Sequence, residues 1–181
     1  MKFIRLSAAI LVAAAVPAVA TAKTPTVGGA PMYPNKTIVQ NAATAPNLTT
    51  LVAAVKAADL VDTLSGTGPF TVFAPTNDAF AKLPAGTVDT LLKPENKAQL
   101  QGVLTYHVVP GRVTAAQLMA KIKAGGGKAT LKTVAGGTLT ARMMGSRIML
   151  TDAKGGMSHV TTANVYQKNG VVHVIDSVLL P

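Results

Sequence analysis

Three histidines, His107, His159 and His173, are the residues with which this cysteine-free chain could hold a metal or run acid–base chemistry. A structural zinc site draws on Cys and His at close spacing, and that pattern is missing. His107 and His173 could meet in space with Asp78 or Asp176 as a third ligand, but no spacing signature marks them as a set. A Ser-His-Asp triad can be drawn from Ser65 or Ser177, yet neither serine stands in a G-x-S-x-G elbow. The glycine-rich stretches fit neither G-x-x-x-x-G-K-[ST] nor G-x-G-x-x-G, the loops that cradle phosphates. Carboxylates are few and are not paired as in a glycosidase. The seven methionines, with Met143, Met144 and Met149 close together, read as core filling or adaptable surface. This inventory points to a binding or structural protein rather than an enzyme, with no cofactor and no metal.

The elements that must position these residues are organised around residues 68–80, GPFTVFAPTNDAF. Thr71, Val72 and Phe73 are strand formers, and Pro75 ends the strand because it has no N–H for a ladder. Thr76 is a natural N-cap, with Asn77 and Asp78 in the first turn of the helix that follows. Upstream, residues 37–43 form a short helix and Asn47 caps a longer one, in which Leu48, Leu51, Val52 and Val55 recur at helical spacing. Pro94 suits a first helical position, and Thr114 with Gln117 makes a capping box. Beyond residue 125 the apolar period changes to two. Leu139, Ala141 and Met143 share one face of a strand, and Ile148 with Leu150 share one face of the next. Asn169-Gly170 marks a hairpin, and residues 171–175 are apolar on both faces except for His173, which predicts a central strand. Helices first and antiparallel strands afterwards give an α+β domain.

Three stretches carry a resemblance. Residues 68–80, residues 104–111 (LTYHVVPG) and residues 169–180 (NGVVHVIDSVLL) resemble, in that order, the signature motifs of the fasciclin-like (FAS1) domain, bacterial secreted single-domain type. The resemblance covers about residues 35–181. It implies the FAS1 fold, a β-wedge or sandwich flanked by helices from the N-terminal half, with the last strand beside residues 71–74. It also implies cell-surface or extracellular-matrix adhesion. Thr76, Asp78, Tyr106, His107 and His173 then become motif residues with a possible recognition role, His107 being expected to be buried. In animal members the Tyr-His region is linked with receptor adhesion, and the segment preceding it here, residues 96–103, lacks the Asp-Ile pair found there. A small-ligand carrier or an unrecognised hydrolase is the alternative, and it requires a pocket near His107, Tyr106 and Asp78.

Residues 1–22 read as an export signal. Lys2 and Arg5 form a charged start, residues 10–16 an apolar stretch, and Ala18 to Ala22 a small-residue cleavage region. Residues 23–36, with three prolines and two glycines, read as a flexible arm, and residues 37–181 as the domain. The expected location is periplasmic or extracellular, without a membrane span in the mature protein. The formal net charge is +10, and residues 121–181 hold eight basic residues against two acidic ones. If the alternating apolar residues of the strands face inward, Lys128, Lys132, Arg142 and Arg147 face water and, with Lys121 and Lys123, form one basic surface. Its expected partner is an acidic polysaccharide or the cell envelope. Nucleic acid is not expected, because no aromatics interleave the charges.

Overall fold

The computed structural model describes residues 24–181. The export signal and Lys23 lie outside the described residues. Regular structure begins with a hairpin of β1 (Thr26–Val27) and β2 (Ala30–Pro31). Helices α1 (Ile38–Ala42), α2 (Thr49–Ala57) and α3 (Val61–Ser65) follow and lead into β3 (Phe70–Pro75). Next come α4 (Asn77–Ala81), α5 (Thr87–Leu91), a 3-10 turn at Pro94–Asn96 and α6 (Lys97–Tyr106), which passes into β4 (Val108–Pro110). Helix α7 (Ala115–Ala124) precedes β5 (Lys128–Lys132), β6 (Thr138–Met144), β7 (Arg147–Thr151), β8 (Met157–Gln167) and β9 (Gly170–Ile175).

Strands β3 to β9 make one sheet in the order β4-β3-β9-β8-β7-β6-β5. The expected neighbour of residues 71–74 is in place: β3 pairs β9 in parallel, Thr71 opposite Val171 and Ala74 opposite Val174. Strand β8 is long enough to serve both halves of the sheet. Its pairing with β9 slips between Val160 and Thr162 and again between Thr162 and Val165. Asn164 takes a left-handed φ of 58° inside that irregular stretch. Such bulges bend a strand and sharpen the local twist. The sheet accordingly curls until Val134, just past β5, donates from its N–H to the Val108 carbonyl of β4 at 2.8 Å.

Curling buries the central strands on both faces. Val72, Ala74, Val172 and Val174 pack against the N-terminal helices in one core. Phe73 and Ile175 turn the other way, into a second core closed by Leu118 and Ile122 of α7 and by the inner face of β5–β8. This explains why β9 is apolar on both faces apart from His173. The outer face of β5–β8 is left toward solvent, so these strands alternate, with Ala129, Leu131, Leu139, Ala141, Ile148 and Leu150 all buried. Gly170 is required where β9 enters the sheet, because a Cβ there would collide with the Phe70 carbonyl.

Two expectations change. The described part of the supposed arm is anchored: Val27 and Met32 are both buried in the first core. Asn41 fixes the same stretch, accepting from the Tyr33 N–H at 3.0 Å and donating to the Tyr33 carbonyl at 2.7 Å. Nor does Asn47 cap α2. The cap position is Leu48, without a side-chain bond, and the acceptor comes from the neighbouring helix, where Asn77 Oδ1 takes the Thr50 N–H at 3.0 Å. Asn77 also donates from its own N–H to the Asn47 carbonyl at 2.8 Å, clasping α2 to α4.

Candidate functional site

The three motifs converge where α6 ends. Thr71 pairs with Val109 across β3 and β4, and the Phe73 N–H donates to the His107 carbonyl at 2.9 Å. His107 itself is the C-terminal cap of α6 and is buried. Its Nδ1–H donates to the Val103 carbonyl at 2.8 Å, one helical turn back. Its Nε2 accepts from the Leu179 N–H at 3.0 Å. Both ring nitrogens are thereby used, and the ring is a neutral strut tying the C-terminal segment to α6. Burial pushes its pKa down to about 4, against the smaller raising effects of the Val103 carbonyl and Asp152.

His173 behaves similarly in the other core. Its Nε2 lies 2.8 Å from the Val113 carbonyl, and its ring stacks on Phe73 with centroids 5.6 Å apart. Burial lowers its pKa as well. Tyr106 is buried and bridges three elements: its hydroxyl donates to the Thr138 carbonyl at 2.7 Å and accepts from the Ala153 N–H at 3.0 Å. Burial raises the phenol's pKa. Thr76 is the expected N-cap, its Oγ1 accepting from the Ala79 N–H at 3.3 Å. Asp78, by contrast, is exposed on α4.

Among the described residues, His107, Tyr106 and Asp78 do not come together around the cavities beside His107. The cavities touching His107 measure about 30 and 10 Å³, have apolar walls, and include neither Tyr106 nor Asp78. A roomier cleft of about 310 Å³ lies elsewhere, between the start of α7 and the edge of β7 and β8. Ala115, Met119, Ile148 and Val160 wall it, with Arg147 and Thr161 also on its lining.

The paper triad with Ser177 meets in part and on the wrong atoms. His159 Nδ1 stands 3.4 Å from Asp176 Oδ2, while Ser177 and Ser158 both direct their hydroxyls to Asp176 Oδ1, each at 3.3 Å. Neither serine bonds to the imidazole, so neither is placed for activation. Burial alone would raise the Asp176 pKa, but the His159 N–H at 2.8 Å, together with Lys82 and His159, holds it below the ordinary carboxylate value. His107, His159 and His173 occupy separate places. Among the described residues no three His, Asp or Glu side chains gather as a metal-binding group.

The basic residues divide between two layers. Lys128, Lys132, Arg142 and Arg147 are exposed on the outer face of β5–β7, as the alternation predicts. Lys128 and Arg142 stand directly opposite one another. None of the four pairs with an acid among the described residues. Lys121 and Lys123 are exposed too, but on α7, the helix that covers the inner face. The six expected residues are carried by two elements, four on the strands β5–β7 and two on α7.

Two asparagine side chains, Asn169 buried and Asn164 half-buried, join the parts, and the sequence pattern does not reveal them. Asn169 Oδ1 accepts from the Ile38 N–H at 3.1 Å while its Nδ2 donates to the Leu64 and Gly66 carbonyls at 2.6 and 3.0 Å. Asn164 Oδ1 takes the Ala115 N–H at 2.8 Å, starting α7. The Asn-Gly pair at 169–170 signals a turn, and nothing local signals the three bonds.

Comparison with known proteins bears on this arrangement. The model of the fasciclin domain matches residues 46–181. The chain belongs to the fasciclin (FAS1) family. Protein sll1483 of Synechocystis is 52% identical over 145 residues, covering 80% of this chain and 73% of that protein. The immunogenic protein MPB70 of Mycobacterium bovis is 40% identical over 141 residues, covering 75% of this chain and 64% of its own length. Among solved structures, the FAS1 domain pair of the insect cell adhesion molecule fasciclin I superposes with a TM-score of 0.72 at 22% identity. That match covers 82% of this chain and 52% of the insect chain, and it shows a shared fold. The family match begins at residue 46, while α1 and the β1–β2 hairpin pack into the same core ahead of it.

Proposed function

We propose that this FAS1 protein is exported and acts by adhesion, its outer sheet face holding an anionic polymer such as an acidic polysaccharide of the envelope or matrix. A relative 38% identical, from Mycobacterium bovis, is named a cell surface glycolipoprotein, which supports a place outside the cytoplasm. Among the described residues no helix is long and apolar enough to cross a membrane.

One observation carries the choice of partner. Lys128 and Arg142 face each other across β5 and β6, and like charges directly opposite on a sheet are unfavourable. An anion lying over them removes that repulsion. Lys132 and Arg147 extend the charge along the face, and no acidic side chain leaves it on the solvent side of β5–β7. The reading needs no catalytic step.

Retention of the purified chain on immobilised alginate or heparin across a salt series tests it. Binding to the face should weaken steeply as salt shortens the screening length to about 8 Å near physiological strength. Arg142→Glu combined with Arg147→Glu should abolish retention, and Lys121→Glu with Lys123→Glu should leave most of it. Equal retention by the Arg142→Glu/Arg147→Glu protein, at matched folding stability, would remove the sheet face from the adhesion site.

A further inference from the structure

The outer sheet face carries a second chemistry that polymer binding does not use. Met149 on β7 stands directly opposite His159 on β8, and Thr151 stands opposite Met157. Ile148 and Leu150 are buried on β7, as are Ser158 and Val160 on β8. Alternation therefore sends Met149, Met157 and His159 out on one face. Met157 is 61% exposed, and the His159 side chain 34%. Directly opposed Cβ atoms on a sheet lie about 5 Å apart, and diagonal neighbours about 7 Å. Residues two apart on one strand are also separated by about 7 Å. These spacings make a small triangle of two thioethers and an imidazole. Methionine's three rotatable bonds let both sulfurs turn toward a common point above the sheet.

The imidazole stands beside a carboxylate. The Nδ1 side of His159 faces Asp176 Oδ2 at 3.4 Å, and that carboxylate is held by the His159 N–H at 2.8 Å and by the Ser158 hydroxyl. The tautomer with its proton on Nδ1, beside the carboxylate, keeps its lone pair on Nε2. Nε2 has no hydrogen-bond partner among the described residues. A carboxylate behind the distal nitrogen is how metal-ligating histidines are commonly oriented. The donor set is two thioether sulfurs and one imidazole nitrogen, with Arg142 across from Met149. Hard dications such as Mg(II) and Ca(II) need oxygen ligands that are missing here, and thioethers select Cu(I).

We propose that Met149, Met157 and His159 form a binding site for Cu(I), with Asp176 as the positioning residue. The ion arrives already reduced, and three donor bonds form without electron transfer. The site is independent of the polymer-binding reading, since none of its ligands is among the four basic residues.

The purified chain, kept anaerobic, would be titrated with Cu(I) buffered by bathocuproine disulfonate, and separately with Ag(I) as an air-stable probe. Methyl and imidazole resonances would be followed by NMR. The expected result is one equivalent bound, with the Met149 and Met157 methyl signals and the His159 ring shifting together. Met149→Leu, Met157→Leu and His159→Gln should each weaken binding by about tenfold or more, and inward-facing Met143→Leu should not. Asp176→Asn should weaken it by about tenfold and alter the His159 tautomer signals in the nitrogen spectrum. Failure of the protein to take Cu(I) or Ag(I) at micromolar concentration would overturn the proposal. So would undiminished affinity in a folded His159→Gln or Met149→Leu/Met157→Leu protein.

Discussion

His107→Ala tests whether the motif histidine is a strut. The substitution removes the acceptor of the Leu179 N–H and the donor to Val103, both at buried atoms. A buried donor left without a partner costs about 1–3 kcal/mol, and the lost ring enlarges the adjoining cavity of about 30 Å³, adding roughly 1 kcal/mol more. A pH series separates this from generic damage. Burial lowers the pKa of His107 from 6.5 to about 4 in the folded chain. The unfolded state therefore binds the proton first, so the stabilising difference is full above pH 6.5 and is lost as pH falls toward 4. That gap corresponds to roughly 3 kcal/mol across the interval, a slope near 1.4 kcal/mol per pH unit. His173 adds a loss of the same sign. Urea unfolding at steps between pH 7 and pH 4.5 would give stability for the parent and His107→Ala proteins. The variant should be about 2–4 kcal/mol less stable at pH 7, with a flatter pH dependence below 6.5. Equal slopes in the two proteins, or unchanged stability at pH 7 with loss of polymer binding, would refute the strut and make His107 a recognition residue.

Tyr106→Phe keeps the ring but strips the bonds to Thr138 and Ala153; it should cost about 1–3 kcal/mol in urea unfolding without altering retention on polysaccharide. Asn169→Ala leaves the Ile38 N–H and two carbonyls unsatisfied, so a drop of at least about 2 kcal/mol is expected by the same measurement. Limited proteolysis should spare residues 25–33, because Val27 and Met32 are buried; rapid cleavage there, with the rest of the domain intact, would contradict the anchoring.

Much of the fold was legible because its signals are local. Thr76 caps a donor three residues on, and the Thr114–Gln117 box closes over the same distance. The period of two in β5–β7 assigns Leu139, Ala141, Ile148 and Leu150 to the core whatever the neighbouring strands are. The amide network was not legible in the same way. The side chain of Asn169 reaches Ile38, 131 positions away, and the cap of α2 comes from Asn77, 27 positions beyond the donor. Residues 23–36 read as an arm because two apolar anchors among prolines and glycines make no period.

The sequence by itself determined the family, the α+β order of elements, the corner at residues 68–80 and which residues of the alternating strands turn outward. Each depends on neighbours a few positions apart or on a motif that can be matched as written. Only the tertiary structure decided that both ring nitrogens of His107 and Nε2 of His173 go to backbone groups. It also decided that the basic residues fall on two layers, and that Met149 meets His159. A side chain's partners depend on which strands become neighbours and in what register. In a curled sheet, contacts between residues far apart in the chain settle that register.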